Sequence, residues 1–271
     1  MSKLRKAVEE AKDMENPELD LVDRGLATIE EIPGLMSVSN MTRLTLAHNK
    51  IKTIPASIAH LEKLEILNLN NNCLESLPTS LSSMPCLRIL NLGMNRLSTL
   101  PRGFGSFPVL EILDLTYNNL TEQSLPANFF MIESLRALYL GDNDLQHLPS
   151  EIGQLRNLQI LVLRDNDLVE LPKEIGELQR LRELHLQGNN LSVLVPEIAS
   201  LDLISPRSEL RLDDNLWVKP IEEQLQIGVA HVIEYIKSDT YKYLYQRHLA
   251  ANAPPSTRHK DKSKKASRKK D

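Results

Sequence analysis

The sequence predicts a solenoid of the α/β class, in which successive coils share one curved parallel sheet. Three observations carry this prediction: a repeated leucine pattern, a nearly constant interval and a fixed asparagine. The pattern LxxLxLxxNxLxxLP begins at residues 41, 64, 87, 110, 135, 158 and 181, at intervals of 23, 23, 23, 25, 23 and 23. Its asparagines are residues 49, 72, 95, 118, 143, 166 and 189. Self-similarity at this period is typical of leucine-rich repeats, so we predict a leucine-rich repeat solenoid with its sheet on the concave face.

Each part of the pattern has a physical reason. In LxLxx the leucines point to one side of a short strand and the intervening residues to the other. Equivalent strands stack at about 4.7–4.9 Å as a parallel sheet. The asparagine amide both donates and accepts hydrogen bonds, so it can link the turns of successive coils as a buried ladder. The trailing proline and the IxxLxxL segment return the chain along the convex side.

A repeat array needs capped ends, and both ends of this one depart from the pattern. For residues 1–15 we predict a helical or flexible segment. Residues 16–40 are a degenerate first repeat that has Arg24 where the asparagine belongs. Seven regular repeats then occupy 41–206, and a half repeat that ends at Trp217 occupies 207–217. The leucine-rich repeat domain therefore spans 16–217.

Residues 218–250 predict a C-terminal helical cap of one or two helices from about Pro220, because an apolar stripe follows a good helix start. A partner-binding amphipathic helix is the alternative. Residues 251–271 predict a disordered basic tail. Its last 15 residues carry eight Lys/Arg and two Asp, a charge of +6, which leaves −10 on the rest of the chain. A nuclear signal, an acidic-surface contact and a simple solubility tail all fit it.

Composition limits the function classes. Aromatic residues are only 4%, so the core must be aliphatic. The chain contains no run of 18 apolar residues, so we predict no membrane span. The N-terminus lacks the features of a secretory signal. Two cysteines are too few for a disulfide framework, which favours a reducing, intracellular setting. The acidic body argues against nucleic acid as a partner.

The chain offers little for catalysis. It has no GxxxxGK[ST], GxGxxG or GxSxG motif, and its seven histidines form no HExxH or HxH pair. An open concave face excludes water poorly, so burial would tune carboxylate pKa values weakly. We therefore expect no enzyme activity, no cofactor and no metal site.

The repeat gives each side chain an address. If the leucines at positions 4 and 6 of the pattern face the core, positions 3, 5, 7 and 8 face the concave groove. The central coils there carry large amphipathic and charged side chains, typical of binding hot spots. We predict a partner-binding site formed by Asn91, Met94, Asp114, Tyr117, Tyr139, Asp142, Arg164, Asp165 and His185. A solvated acidic face is the alternative for its carboxylates.

Several segments carry a closer resemblance, which extends over nearly the whole chain. The return segments LPKEIGELQRL and IPASIAHLEKL resemble those of the Ras-group leucine-rich repeat proteins, and NLGMNRLSTLPRGFGSFP, LEILDLTYNNL and EYIKSDTYKYLYQRH match a member of that group more closely. The departures are modest: Val195 stands where the pattern expects proline, and Arg207 replaces a leucine.

This resemblance implies a non-enzymatic adaptor in the cytoplasm, at cell–matrix adhesions. It implies binding to the last LIM domain of a PINCH-type protein, an indirect link to integrin-linked kinase and parvin, and damping of Ras-dependent signalling. The chain would be a monomer in a hetero-complex, without membrane insertion. A regulatory scaffold that binds a Ras-like GTPase or a phosphatase directly is the second hypothesis.

Overall fold

The computed structural model describes residues 3–252, and they form a nine-stranded parallel sheet whose strand order follows the sequence. The predicted leucine-rich repeat solenoid is therefore confirmed. Its strands are β1 Glu18–Asp20, β2 Arg43–Thr45, β3 Ile66–Asn68, β4 Ile89–Asn91, β5 Ile112–Asp114, β6 Ala137–Tyr139, β7 Ile160–Val162, β8 Glu183–His185 and β9 Glu209–Arg211. Each covers positions 3 to 5 of the pattern.

Core packing follows the alternation of the strands. The leucines at positions 4 and 6 are buried in every regular coil, as Leu138 and Leu140 illustrate at 0% exposure. The strand residues at positions 3 and 5 lie on the opposite side of the sheet. Since the side-chain period is two, a one-residue slip would exchange these two faces, so the buried leucines fix the register.

The convex side is built from short 3-10 helices. They span Ile29–Glu31, Leu35–Ser37, Ala56–His60, Thr79–Ser83, Phe104–Ser106, Glu122–Ser124, Phe129–Met131, Ser150–Gln154, Lys173–Glu177 and Pro196–Ser200. The two-residue insertion in the fourth repeat falls here. It adds the turn Glu122–Ser124 and buries Phe129 at 0% exposure, with its ring stacked 6.1 Å from the ring of Phe104. The insertion therefore enlarges the core.

The asparagine ladder joins each coil to the one before it. Asn118 Nδ2 lies 3.0 Å from the carbonyl oxygen of its own coil's Leu115 and 3.1 Å from that of Leu92 in the preceding coil. Its Oδ1 accepts a hydrogen bond from the backbone N–H of Leu97 at 2.9 Å. Asn49 bonds backward in the same way, to Leu21 in the first coil. Within the described residues no coil precedes the first one, so no ladder bond is needed there and Arg24 can replace the asparagine.

The N-terminal end is closed by helix α1, Lys3–Lys12, which buries Val8 and Ala11 against the first coil. The C-terminal end carries three helices, α2 Lys219–Ile227, α3 Val229–Lys237 and α4 Asp239–Asn252, so the expectation of one or two was wrong. Gly228 separates the first two. Its φ of 148° is a conformation that side-chain-bearing residues rarely adopt. The predicted tail at 251–271 lies, beyond Asn252, outside the described residues.

Tyr241 of α4 locks this helical cap onto the last full repeat. Its side chain is fully buried, its hydroxyl donates to the carbonyl oxygen of Leu194, and the backbone N–H of Leu194 donates back at 2.8 Å. Burial raises the pKa of Tyr241 well above its ordinary value of 10.0.

Within residues 3–252, no helix is long and apolar enough to cross a bilayer.

We predict that Asn118→Ala lowers the free energy of unfolding by about 2–4 kcal/mol, because it leaves several buried backbone groups without partners. Urea unfolding followed by circular dichroism measures the change. The neighbouring Asn119 is exposed and is the matched control. Its alanine variant should stay within about 0.5 kcal/mol of the parent. Equal losses for the two variants would contradict the ladder.

Tyr241→Phe should cost about 1–3 kcal/mol in the same measurement, because both polar groups of Leu194 lose their buried partner. Tyr243, which is 65% exposed on the same helix, is the control and should tolerate phenylalanine. The raised pKa adds a pH test. Above pH 10 the unfolded phenol ionises while the folded one stays neutral, so the parent loses stability there, and Tyr241→Phe should lose less. Identical alkaline profiles would contradict this role.

Candidate binding groove on the concave face

The central candidate residues form rows across the concave wall because the strands pair in register. Asn91 is the Cα partner of Asp114, and Asp114 is the partner of Tyr139. Tyr139 pairs with Val162, and Val162 pairs with His185. Four of the nine predicted binding residues thus share one row at position 5. A second row at position 8 holds Met94, Tyr117, Asp142 and Asp165, and Arg164 lies beside it at position 7.

The position-8 row has a backbone conformation that the sequence pattern did not reveal. Its non-glycine residues have left-handed backbones, with φ from 52° to 56° in the second to seventh coils and at Asp214. Asparagine and aspartate tolerate this region, but bulky side chains do so at a cost of about 1–2 kcal/mol. Met94 and Tyr117 nevertheless occupy it, and they are 47% and 48% exposed. Their conformational cost is not repaid by burial in the free protein.

Arg164 is the centre of a charged cluster at the middle of the groove. Its Nη1 lies 2.8 Å from Asp142 Oδ2 and 2.5 Å from Asp165 Oδ2. Its guanidinium carbon is 5.7 Å from the ring centroid of Tyr117, within cation–π range. The arginine therefore holds an aromatic ring and two carboxylates in one fixed arrangement.

The surroundings of Asp142 in this cluster disfavour its ionised form. Burial raises its pKa; Arg164 opposes the shift, and the neighbouring charge of Asp165 adds to it. Its Oδ2 has almost no exposed surface and accepts no well-directed hydrogen bond, although Arg164 is close. We take the close contact as coulombic attraction rather than a satisfied hydrogen bond. A further positive charge above the groove would stabilise the ionised form of Asp142.

Tyr139 lies between two acidic side chains. Burial raises its pKa, and the charges of Glu183 and Asp114 raise it further. The phenol therefore stays neutral and can donate a hydrogen bond to a partner at physiological pH. Asp114 is partly engaged, since its Oδ1 accepts the backbone N–H of Thr116 at 2.9 Å, and Asn91 accepts from Gly93 in the same way.

An apolar strip beside these residues was missed in the choice of candidates. Position 3 holds an aliphatic side chain in five successive coils: Ile66, Ile89, Ile112, Ala137 and Ile160. The four isoleucines are half-buried and lie on the groove side of the sheet. Alternation alone could have found them, because an apolar residue at an outward position is the informative exception. A half-exposed apolar strip next to charged residues is typical of protein-binding surfaces.

Sequence spacing predicts no metal-ligating set, but the structure brings together three side chains whose chemistry suits one. Glu183, His185 and Glu209 lie side by side at the C-terminal end of the wall, with ligand atoms within 4.8 Å of one another. Glu183 and His185 belong to β8, but Glu209 lies on the next strand. Short-range motifs cannot detect a cluster of this kind.

The position-8 backbone generates a stability prediction. Met94→Asn should raise the free energy of unfolding by about 0.5–1 kcal/mol, because asparagine accepts a left-handed backbone at lower cost. Met131, which is 62% exposed in a 3-10 helix with ordinary backbone angles, is the matched control. Met131→Asn should bring no gain, and urea unfolding of both variants checks this. Destabilisation by Met94→Asn would contradict the strain.

Comparison with known proteins agrees with this architecture. A family model described as leucine-rich repeat region matches residues 97–219, and one described as leucine rich repeat matches 39–97. The chain is 67% identical to Ras suppressor protein 1 of Mus musculus over 270 residues, which cover 99% of this chain and 98% of that protein. It is 60% identical to Ras suppressor protein 1 of Homo sapiens, with the same coverage.

Solved structures share the fold. The Arabidopsis receptor kinase HAESA, in complex with the peptide hormone IDA and the co-receptor SERK1, superposes with a TM-score of 0.64. Sequence identity is 26%, and the match covers 80% of this chain and 39% of that chain.

Proposed function

The chain belongs to the Ras suppressor family of leucine-rich repeat proteins, and from this premise we propose that it is a non-enzymatic adaptor whose concave groove binds a folded protein partner. The observation that carries the proposal is that Met94 and Tyr117 have a left-handed backbone and exposed side chains. Strained residues that the free protein leaves exposed are typical of functional surfaces.

The groove favours a partner with a positively charged, partly apolar surface. Carboxylates of Asp114, Asp142 and Asp165 line its centre, and the isoleucine strip offers apolar contact beside them. Tyr139 and Tyr117 supply amphipathic rings of the kind that dominate interface energetics. Arg164 holds the central carboxylates in place before the partner arrives, which lowers the conformational cost of binding.

For the partner itself we propose the last LIM domain of a PINCH-type protein. The family resemblance suggests this partner, and the groove offers the contacts that a small folded module needs. Through that protein the chain would join integrin-linked kinase and parvin at cell–matrix adhesions in the cytoplasm, as a monomer in a hetero-complex, and would damp Ras-dependent signalling. The groove is a wide, open wall, which favours protein docking over catalysis.

A second candidate function rests on the same acidic wall. A Ras-like GTPase or a phosphatase with a basic surface would find the same complementary charges. The two hypotheses differ in the guest and share the groove. Titration of the purified chain with an isolated LIM domain, and separately with a nucleotide-loaded GTPase, distinguishes them.

We predict that Tyr139→Ala and Asp114→Arg each weaken LIM-domain binding at least about 30-fold, the loss of roughly 2 kcal/mol that defines a hot spot. Isothermal titration calorimetry with the purified domain measures the dissociation constant. Tyr139→Ala removes an aromatic contact, and Asp114→Arg places a positive charge against a positively charged partner.

The control is Glu151→Arg, an equal charge reversal at an exposed residue of the convex 3-10 helix Ser150–Gln154. It should leave the dissociation constant unchanged. Urea unfolding confirms that each variant is folded. Unchanged affinity in both groove variants, or equal loss in Glu151→Arg, would refute the groove as the binding site.

A further inference from the structure

Three side chains able to ligate a metal meet at the C-terminal end of the concave wall. They are Glu183 and His185 on β8 and Glu209 on β9. One nitrogen or oxygen atom from each lies within 4.8 Å of the other two. One imidazole and two carboxylates are a donor set that suits a divalent transition-metal ion.

The sheet itself holds these residues together. Glu183 and His185 are two positions apart on one strand, so they project from the same face. Glu183 and Glu209 are Cα partners on adjacent strands, which puts two carboxylates directly opposite each other. Like charges in this arrangement are destabilising. Glu209 forms an ion pair with Arg211. Within residues 3–252, Glu183 has no ion-pair partner.

His185 provides an independent sign of a missing ligand. Its Nε2 is buried from solvent and has no hydrogen-bond partner. The closest acidic group, Glu209 Oε2, lies 3.6 Å away, which is too far for a hydrogen bond. A buried nitrogen of this kind costs free energy unless something binds it. The position and identity of the atom fit a metal ligand.

Arg211 prepares Glu209 without blocking the cluster. Its Nε donates to Glu209 Oε1 at 2.6 Å, and its Nη2 contacts the same oxygen. The other carboxylate oxygen, Oε2, is thereby turned toward His185. Partners that orient a ligand in this way are typical of metal sites.

We propose that Glu183, His185 and Glu209 form a binding site for a divalent transition-metal ion, with Zn²⁺ as the ion that fits best. To bind Zn²⁺ the three ligand atoms, now within 4.8 Å of one another, would close to about 3.3 Å, the spacing that Zn–N and Zn–O bonds of about 2.0–2.1 Å impose in a tetrahedron. Three protein ligands leave a fourth position open to the groove. This site goes beyond the adaptor role and does not depend on a protein partner.

The test is isothermal titration calorimetry of the purified full chain with ZnCl₂, with Co²⁺ absorption as a second readout of coordination. The parent chain should bind one ion that His185→Ala and Glu183→Gln each weaken at least about tenfold, since loss of even an outer-shell partner costs 10–100-fold. Zinc should also raise the melting temperature of the parent and leave that of His185→Ala unchanged.

His147→Ala is the matched control. His147 Nδ1 faces Glu170 at 3.6 Å, as His185 faces Glu209, but within residues 3–252 this pair belongs to no set of three potential ligands with the close spacing of the proposed site. This variant should keep the parent's affinity. Circular dichroism without metal confirms that every variant is folded. Binding that survives His185→Ala, that disappears in His147→Ala, or that is absent from the parent up to millimolar zinc would overturn the proposal.

Discussion

The asparagine ladder is the interaction on which the rest of the structure depends. Each ladder amide bonds to backbone groups of its own coil and of the coil before it, as Asn118 does with Leu115, Leu92 and Leu97. A single coil buries too little apolar surface to fold alone, so each coil is stabilised by its contacts with the neighbouring coils. The ladder makes the relation between neighbours identical from one coil to the next. Together with the buried leucines that fix the strand register, the ladder places side chains 23 to 26 residues apart next to one another on the concave wall.

The same repeat geometry creates the groove and also lowers the stability of the free chain. Where the chain leaves each strand, position 8 has a left-handed backbone, which asparagine, aspartate and glycine accept readily. Met94 and Tyr117 occupy this position although their side chains disfavour such a backbone, and burial raises the pKa of Asp142. Each of these features reduces the stability of the free chain. A partner that covers the aromatic ring and the thioether would gain apolar burial, and positive charge brought to Asp142 would add electrostatic attraction, so both contacts would contribute to affinity.

The repeat could be predicted from sequence because it is written in local periodicity. The strand register, the groove-facing positions and the degenerate first coil all follow from the spacing of leucine and asparagine. The remainder depends on contacts that no local pattern encodes. Tyr241 reaches Leu194 across 47 residues, and Glu209 meets His185 only after the chain has completed a coil. The cap is divided into three helices at Gly228 and again at Ser238, and the continuous apolar stripe concealed both breaks. The alternation of strand residues could have predicted the isoleucine strip, but none of these isoleucines was among the candidate residues.

The most direct measurement is a crystal structure of the chain bound to the LIM domain that we propose as its partner. Our interpretation predicts that the partner lies in the concave groove, with its atoms in contact with Tyr117, Tyr139 and Met94, and with a basic side chain close to Asp142. A complex in which the partner sits on the convex 3-10 helices or on α2 to α4, and leaves those side chains exposed to solvent, would contradict it.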